Sequence, residues 1–171
     1  MTESIVNFFV NSFSGLTSMA FGKELLIFII SLFPILELRG GLIAAALLDV
    51  NPIVSFIICY IGNILPVPFI LKFITPLFAK LKKTKLLRGL VLKLEKKADS
   101  KKEQIEKYKY WGLFLFVGIP LPGTGAWTGS LIACMLEMDK KKSFLTVMAG
   151  VLMAGIIMMV LSFGILKGIV G

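Results

Sequence analysis

Histidine is absent from the 171 residues, cysteine occurs twice, and 10 acidic residues stand against 19 lysines and arginines. With no histidine, and with Cys59 and Cys134 far apart inside apolar runs, neither a Cys/His metal site nor a disulfide framework can be assembled. Both cysteines read as small core residues. No nucleophile–base set is visible either, so an enzyme is not expected and no motif asks for a cofactor. The basic excess amounts to a net charge of +9. Its sources are concentrated in Lys80–Lys109 and Lys140–Lys142, which is the distribution of membrane topology and not of a nucleic-acid footprint. Met1–Glu3 lack a basic leader and no small-residue cleavage site stands out, so the N-terminal segment is expected to persist in the mature protein.

What the chain does have is apolar length. Hydrophobic residues make up 57% of it, well above the roughly 45–50% of a soluble domain. The runs Leu25–Leu48, Ile53–Phe78, Trp111–Met138 and Phe144–Val170 each reach the roughly 20 residues that a bilayer crossing needs. A weaker run, Ile5–Phe21, precedes them. The composition predicts an all-α, multi-pass integral membrane protein in contact with membrane lipid.

Inside the first strong run stands Glu37-Leu38-Arg39-Gly40-Gly41. Charges at membrane depth are costly and mark substrate or ion pathways, so this is the first candidate site. It is also where a simple spanning helix should fail. Burial favours the neutral form of a carboxylate, which gives Glu37 a protonatable role, while the planar fork of Arg39 suits phosphate or carboxylate. Arg39 opposes neutralisation of Glu37, and the sequence leaves that balance open. A self-neutralising pair at the membrane interface is the plainer alternative.

Lysine and arginine in short loops favour the cytoplasmic side, which places both Lys80–Lys109 and Lys140–Lys142 there. The two flanks of Trp111–Met138 then lie on one side. Gly118-Ile119-Pro120-Leu121-Pro122-Gly123-Thr124-Gly125 cannot continue a helix, so this run is expected to dip in and return as a re-entrant hairpin. Pro122-Gly123-Thr124-Gly125-Ala126-Trp127 reads as a helix start, with Thr124 as cap and the amides from Gly125 onward suited to an anion. A tight turn without a ligand is the alternative, and Trp127 either walls a cavity or packs in the bundle.

The first half repeats the plan. Sliding the sequence by 88 positions superposes Pro34 on Pro122, Gly41 on Gly129, Ala45 on Ala133, Leu48 on Leu136, Ser55 on Ser143 and Gly62 on Gly150, with Asp49 on Glu137. The charge-poor flanks of Leu25–Leu48 suit the outer face, and the helix from Pro52, after an Asn51 cap, then runs inward. The helix from Phe144 runs outward. One membrane domain over 1–171 is therefore expected, with repeat one at 1–79 and an inverted repeat two at 80–171. Each would hold an amphipathic helix, a re-entrant helical hairpin and a spanning helix, as secondary transporters do. Pro66, Pro68 and Pro76 should bend the first spanning helix. Gly125/Gly129 and Gly164/Gly168 form GxxxG pairs that would let helices approach closely. Leu86–Tyr110, with Tyr108, Tyr110 and Trp111, reads as an interfacial helix with an aromatic anchor.

Taken together, Glu37–Gly41 and Pro122-Gly123-Thr124-Gly125-Ala126-Trp127-Thr128-Gly129 resemble the small multidrug export protein family, itself similar to DedA-like, or VTT-domain, membrane proteins. The resemblance runs from about Leu25 to the C-terminus. Members often carry a proline soon after the acid–arginine–glycine group, where this chain has Leu42-Ile43-Ala44-Ala45. What the resemblance implies is a bacterial inner-membrane protein with two opposed re-entrant hairpins and a transport role. From the DedA-like side it implies proton-dependent physiology and movement of lipid phosphates such as polyprenyl phosphate. Glu37 would then be the proton-responsive acid and Arg39 the phosphate ligand, although a second arginine of that pattern has no counterpart here.

Three functions are compatible with this reading. The first is a secondary transporter or exporter of a small or amphipathic substrate, proton-coupled through Glu37, with Arg39, Gly40, Gly41, Pro122, Gly123, Thr124, Gly125 and Trp127 completing the site. The second is a lipid-phosphate flippase or scramblase. The third is a non-transporting scaffold that recruits partners through its basic cytoplasmic face. A chain this short could complete a pathway as a homodimer.

Overall fold

The computed structural model describes residues 21–73, 92, 96 and 108–165. Among them every regular element is helical: α1 (Gly22–Leu32), α2 (Glu37–Leu47), α3 (Pro52–Ile64), α4 (Tyr110–Gly118), α5 (Ala126–Met135) and α6 (Lys140–Met159), the last running into a π-helix at Val160–Ile165. The amphipathic segments expected at Glu3–Phe21 and Leu86–Tyr110 lie almost wholly outside the described residues, as does Pro76.

Proline decides where the first apolar run breaks. Phe33, which precedes Pro34, is extended at φ −75° and ψ 136°, the conformation forced on a residue before proline. Ile119, before Pro120, is extended in the same way at φ −85° and ψ 120°. The break at residues 33–36 therefore falls just ahead of the charged motif, and Glu37 opens α2 instead of sitting in a turn. α1 and α2 have 11 residues each, about 16 Å of helix against a hydrocarbon core of about 30 Å. Neither crosses alone. They fold back on each other, as the Lys23 ammonium at the start of α1 donates to the Leu48 carbonyl at the end of α2 over 2.8 Å.

Close approach in this hairpin rests on two glycines. A Cβ at Gly41 would collide with Ser31 Oγ and come within 2.7 Å of Cys59 Sγ, and one at Gly62 would lie 3.0 Å from the Phe28 carbonyl. α1, α2 and α3 are thus mutually packed, α3 being anchored where Asn51 Oδ1 accepts from the amides of Ile53 and Val54 at 3.0 and 3.2 Å. After α3 the helix is interrupted at Leu65–Pro66 and resumes over Val67–Phe73, within one apolar span Pro52–Phe73.

The stretches Pro52–Phe73 and Lys140–Gly164 are long and apolar enough to cross a membrane, and only 33% of each is buried. Apart from Lys72 and Lys140–Lys142 near their ends, their exposed residues are also apolar. Ile53, Ile57, Ile61, Leu65 and Phe69 form one stripe, and Leu145, Leu152, Ile156 and Val160 another. A helix apolar on every face and buried on one only is solvated by lipid.

Local geometry recurs at the interval of 88. Backbone with φ between 47° and 62° is found at the non-glycine pairs Phe21/Lys109 and Asp49/Glu137. After α2, the amides of Leu48, Asp49 and Val50 bond the carbonyls of Ala44, Ala46 and Ala45; after α5, those of Leu136, Glu137 and Met138 bond Ile132, Cys134 and Ala133. Both are Schellman ends, with an acid where glycine is usual. The second long helix starts at Lys140, four residues before the expected Phe144, because Asp139 Oδ1 accepts from the Lys142 amide at 2.8 Å as Asn51 does in the first.

The outer hairpin arm departs from this interval by two residues. Gly62 faces Phe28 O and Ser31, whereas Gly150 faces Phe114 O and Val117, so α4 superposes on α1 with an offset of 86. The longer turn 119–125 absorbs the difference. By contact density the chain divides into two compact units, Met1–Leu65 with Val151–Gly171, and Pro66–Gly150. Each long helix begins in one unit and ends in the other, so these units differ from the sequence halves at 79/80. Among the described residues only its own Val160, at 4.0 Å, lies near the Cβ direction of Gly164, and its GxxxG partner Gly168 lies outside the described residues.

Substituting Gly41 by Val should cost about 1–3 kcal/mol through overpacking against α1 and α3. Thermal unfolding of the purified protein is the check, with a clearly lowered midpoint expected.

Candidate functional site

The first group of candidate residues opens α2. Glu37 is only 4% exposed and takes φ +52°, a left-handed conformation that costs a non-glycine residue roughly 1–2 kcal/mol. Its amide is held by the Phe33 carbonyl at 2.9 Å, and the Gly40 amide by Leu36 at 2.8 Å, so the turn is locked into the helix start. Leu38, Gly40 and Gly41 are buried, and Arg39 is half-buried with the Glu37 carboxylate near enough for its charge to act on the guanidinium.

The second group belongs to the other compact unit. Pro122 is exposed, Gly123, Thr124 and Trp127 are half-buried, and Gly125 is buried. Gly123 has φ 86° and Gly125 φ 134° with ψ −175°, conformations open to glycine at no steric cost. Gly125, and not Thr124, is the N-cap of α5, and it has no side chain to give. The Thr124 hydroxyl turns back instead, donating to the carbonyls of Ile119 and Leu121 at 3.0 and 2.8 Å. It ties the turn 119–125 to itself. The first amides of α5 point toward this turn, as at any helix start. Gly129 fits because a Cβ there would be 2.6 Å from Val117 of α4, so this half of the GxxxG pair does serve close packing.

Glu37 and Gly125 occupy corresponding positions under the 88-residue interval, and both have positive φ. The two turns thus share a backbone feature but not its chemistry: one carries a carboxylate, the other bare peptide.

One polar residue escaped the sequence reading. Asn63, 3% exposed on α3, has an Oδ1 with no hydrogen-bond partner. Its signal was available, because an amide inside the apolar run Ile53–Phe78 obeys the same rule that singled out Glu37. A shallow groove of about 390 Å³ lined by Tyr110, Trp111, Phe114, Leu145, Thr146 and Ala149 contains none of the candidate residues. Trp111 and Phe114 meet edge to face at 5.9 Å on its wall. Among the described residues no cluster of metal-ligating side chains is present.

Residues 37–157 match the family model described as "Putative small multi-drug export protein". No curated protein and no solved structure matches the chain.

Replacing Thr124 by Val removes both turn-tying bonds and should lower stability by about 1 kcal/mol. Thr124→Ser should restore the loss. Gly125→Ala, forced into a conformation closed to alanine, should cost of the order of 1–3 kcal/mol. Thermal melts of the three variants side by side test the assignment of roles in this turn.

Proposed function

The chain belongs to that family of small multi-drug export proteins, and from this premise we propose that it is a secondary transporter of a small or amphipathic substrate in the bacterial inner membrane. Its two halves form an inverted repeat, and residues 22–47 and 110–135 are re-entrant hairpins. The recurrence of caps, Schellman ends and positive-φ positions at one interval supports the duplication. The shortness of α1, α2, α4 and α5 supports re-entry, because helices of 9–11 residues reach only about half the bilayer core. The basic flanks Lys80–Lys109 and Lys140–Lys142 support the inversion, with both on the cytoplasmic side.

The observation that carries the transport reading is the buried, backbone-strained Glu37 at a hairpin tip. A carboxylate in such a place is expensive as a structural element, and strain persists where a function maintains it. In this reading Glu37 exchanges a proton, and its charge state selects which side the tip opens to. In the first unit Arg39 favours an anionic or polar group, with Gly40 and Gly41 shaping the start of α2; in the second, the Gly123–Gly125 backbone at the α5 N-terminus suits an anion, with Pro122, Thr124 and Trp127 shaping that turn.

Half-burial of Arg39 favours one competing reading, a flippase for a lipid phosphate whose headgroup the guanidinium grips. Proteoliposomes separate the two. With an amphipathic fluorescent dye as probe, wild-type protein should move the dye in response to an imposed pH gradient, and Glu37→Gln should lose that response. Dye movement indifferent to the gradient would remove the coupling. Fluorescent phosphate-headgroup lipid that flips in wild type and stops in Arg39→Ala would favour the flippase.

A further inference from the structure

The shallow groove of about 390 Å³ belongs wholly to the second compact unit, and its walls fix how α4 and α6 run. Tyr110, Trp111 and Phe114 form one wall, Leu145, Thr146 and Ala149 the other. Beyond them, a Cβ at Gly150 would meet Val117. Rising numbers on α4 meet rising numbers on α6, so the two helices are parallel and their N-terminal ends lie together.

Positive charge gathers at that end. Lys141 precedes Leu145 by one helical turn, and Lys142 precedes Leu145 and Thr146 likewise, so both head the rows that wall the groove. Lys109 stands immediately before Tyr110 as the N-cap residue of α4. All three lysines are exposed. Lys140 lies off these rows, and its charge is felt at Cys134 of α5. Among the described residues at this end, these four lysines stand against Glu137 and Asp139 and leave a net charge of +2. The uncommitted first amides of two parallel helices add to it.

Farther along, the groove is apolar and open outward. Trp111 is 73% exposed and Leu145 63%, and the Thr146 hydroxyl is spent on the Lys142 carbonyl at 2.7 Å. From Lys142 to Ala149 the helix rises about 10 Å. The groove is thus cationic at its mouth and apolar along its length, beside a helix long enough to cross a membrane. A phospholipid has that polarity over that distance.

The first half shows that the fold alone does not demand such a groove. Under the offset of 86 for the outer arm, Tyr110 and Trp111 correspond to Glu24 and Leu25; under the interval of 88, Lys142 and Ala149 correspond to Val54 and Ile61. A branched side chain stands where Ala149 leaves room, and an acid stands beside the place of the anion. Lys23, the counterpart of Lys109, gives its ammonium to the Leu48 carbonyl.

We propose that the groove binds one anionic phospholipid of the leaflet at which α4 and α6 begin. Lys141 and Lys142, with Lys109 across from them, hold the phosphate, and the upper acyl chain lies between Trp111 and Ala149. A zwitterionic lipid brings the same chain but no net charge to the cationic mouth, and a soluble anion makes no use of the apolar walls. The lipid is retained and not carried, so the inference stands apart from the transport reading and from the flippase reading at Arg39.

Trp111 reports on the groove directly. The chain has two tryptophans, and Trp127→Phe leaves Trp111 alone. In phosphatidylcholine vesicles with rising fractions of phosphatidylglycerol brominated on its acyl chains, Trp111 should be quenched along a saturable curve. Brominated phosphatidylcholine should quench only in proportion to its fraction. Lys141→Gln with Lys142→Gln should weaken the apparent affinity for the anionic lipid roughly ten-fold, and Lys140→Gln should leave it near that of the parent. Ala149→Ile, a change at an exposed position, should abolish saturation with every lysine in place. A second measurement keeps Trp127: phosphatidylglycerol should raise the thermal midpoint of the detergent-purified wild type more than phosphatidylcholine does, and Ala149→Ile should lose that difference. Indifference of both quenching and melts to the headgroup would overturn the site. So would equal weakening in Lys140→Gln, which would assign the preference to surface charge at large, or displacement of the lipid by inorganic phosphate, which would leave an anion site without a groove. Trp111 shielded from both brominated lipids, with crosslinks between chains, would give the groove to a second copy and overturn the lipid.

Discussion

The absence of water in a bilayer core governs this structure. A backbone amide or carbonyl there must find its partner within the protein, so each place where the chain stops being helical has to be closed by local bonds. The interruptions at 33–36 and 119–125 are closed in that way. Amides of Phe33, Glu37 and Gly40 are bonded within the first turn, and the Thr124 hydroxyl and amide bind the second. The C-terminal end of each hairpin is finished by Schellman bonds and leads directly into the Asn51 or Asp139 cap of the next helix. The outward faces of the long helices, by contrast, satisfy no polar group and are left to lipid.

From that constraint follows the location of chemistry. Polar residues are confined to the layers between helices, where Gly41 and Gly62 permit close packing and where burial makes each unpaired atom costly. Among the described residues the buried polar side chains are five serines, which can bond their own helix, together with Glu37 and Asn63. Strain at Glu37 belongs to the same pattern, because position 125, its counterpart, has the glycine that positive φ prefers.

Much of this was legible in the residues. The 88-residue interval, the two apolar spans, the Asn51 cap and the broken helices were readable because proline, glycine and capping residues act locally. Family membership was legible from the motifs around Glu37 and Gly125. What escaped depended on tertiary register. The break falls before Glu37 because Pro34 acts on Phe33, and the two-residue offset of α4 follows from Gly150 meeting Val117. Thr124 chose the turn's carbonyls over the α5 amides. Asn63 was overlooked although an amide inside an apolar run obeys the rule that singled out Glu37.

Sidedness at the hairpin ends tests the central claim most directly. In a background with Cys59 and Cys134 replaced by alanine, single cysteines at Lys23 and Asp49, the two ends of the first hairpin, would be labelled in intact cells with a membrane-impermeant thiol reagent. The account predicts that both react from the same, outer face, while cysteines at Lys109 and Glu137 are both shielded until the membrane is opened. Reaction of positions 23 and 49 from opposite faces would mean that the first run crosses the bilayer, and the folded-back hairpin on which the site depends would be contradicted.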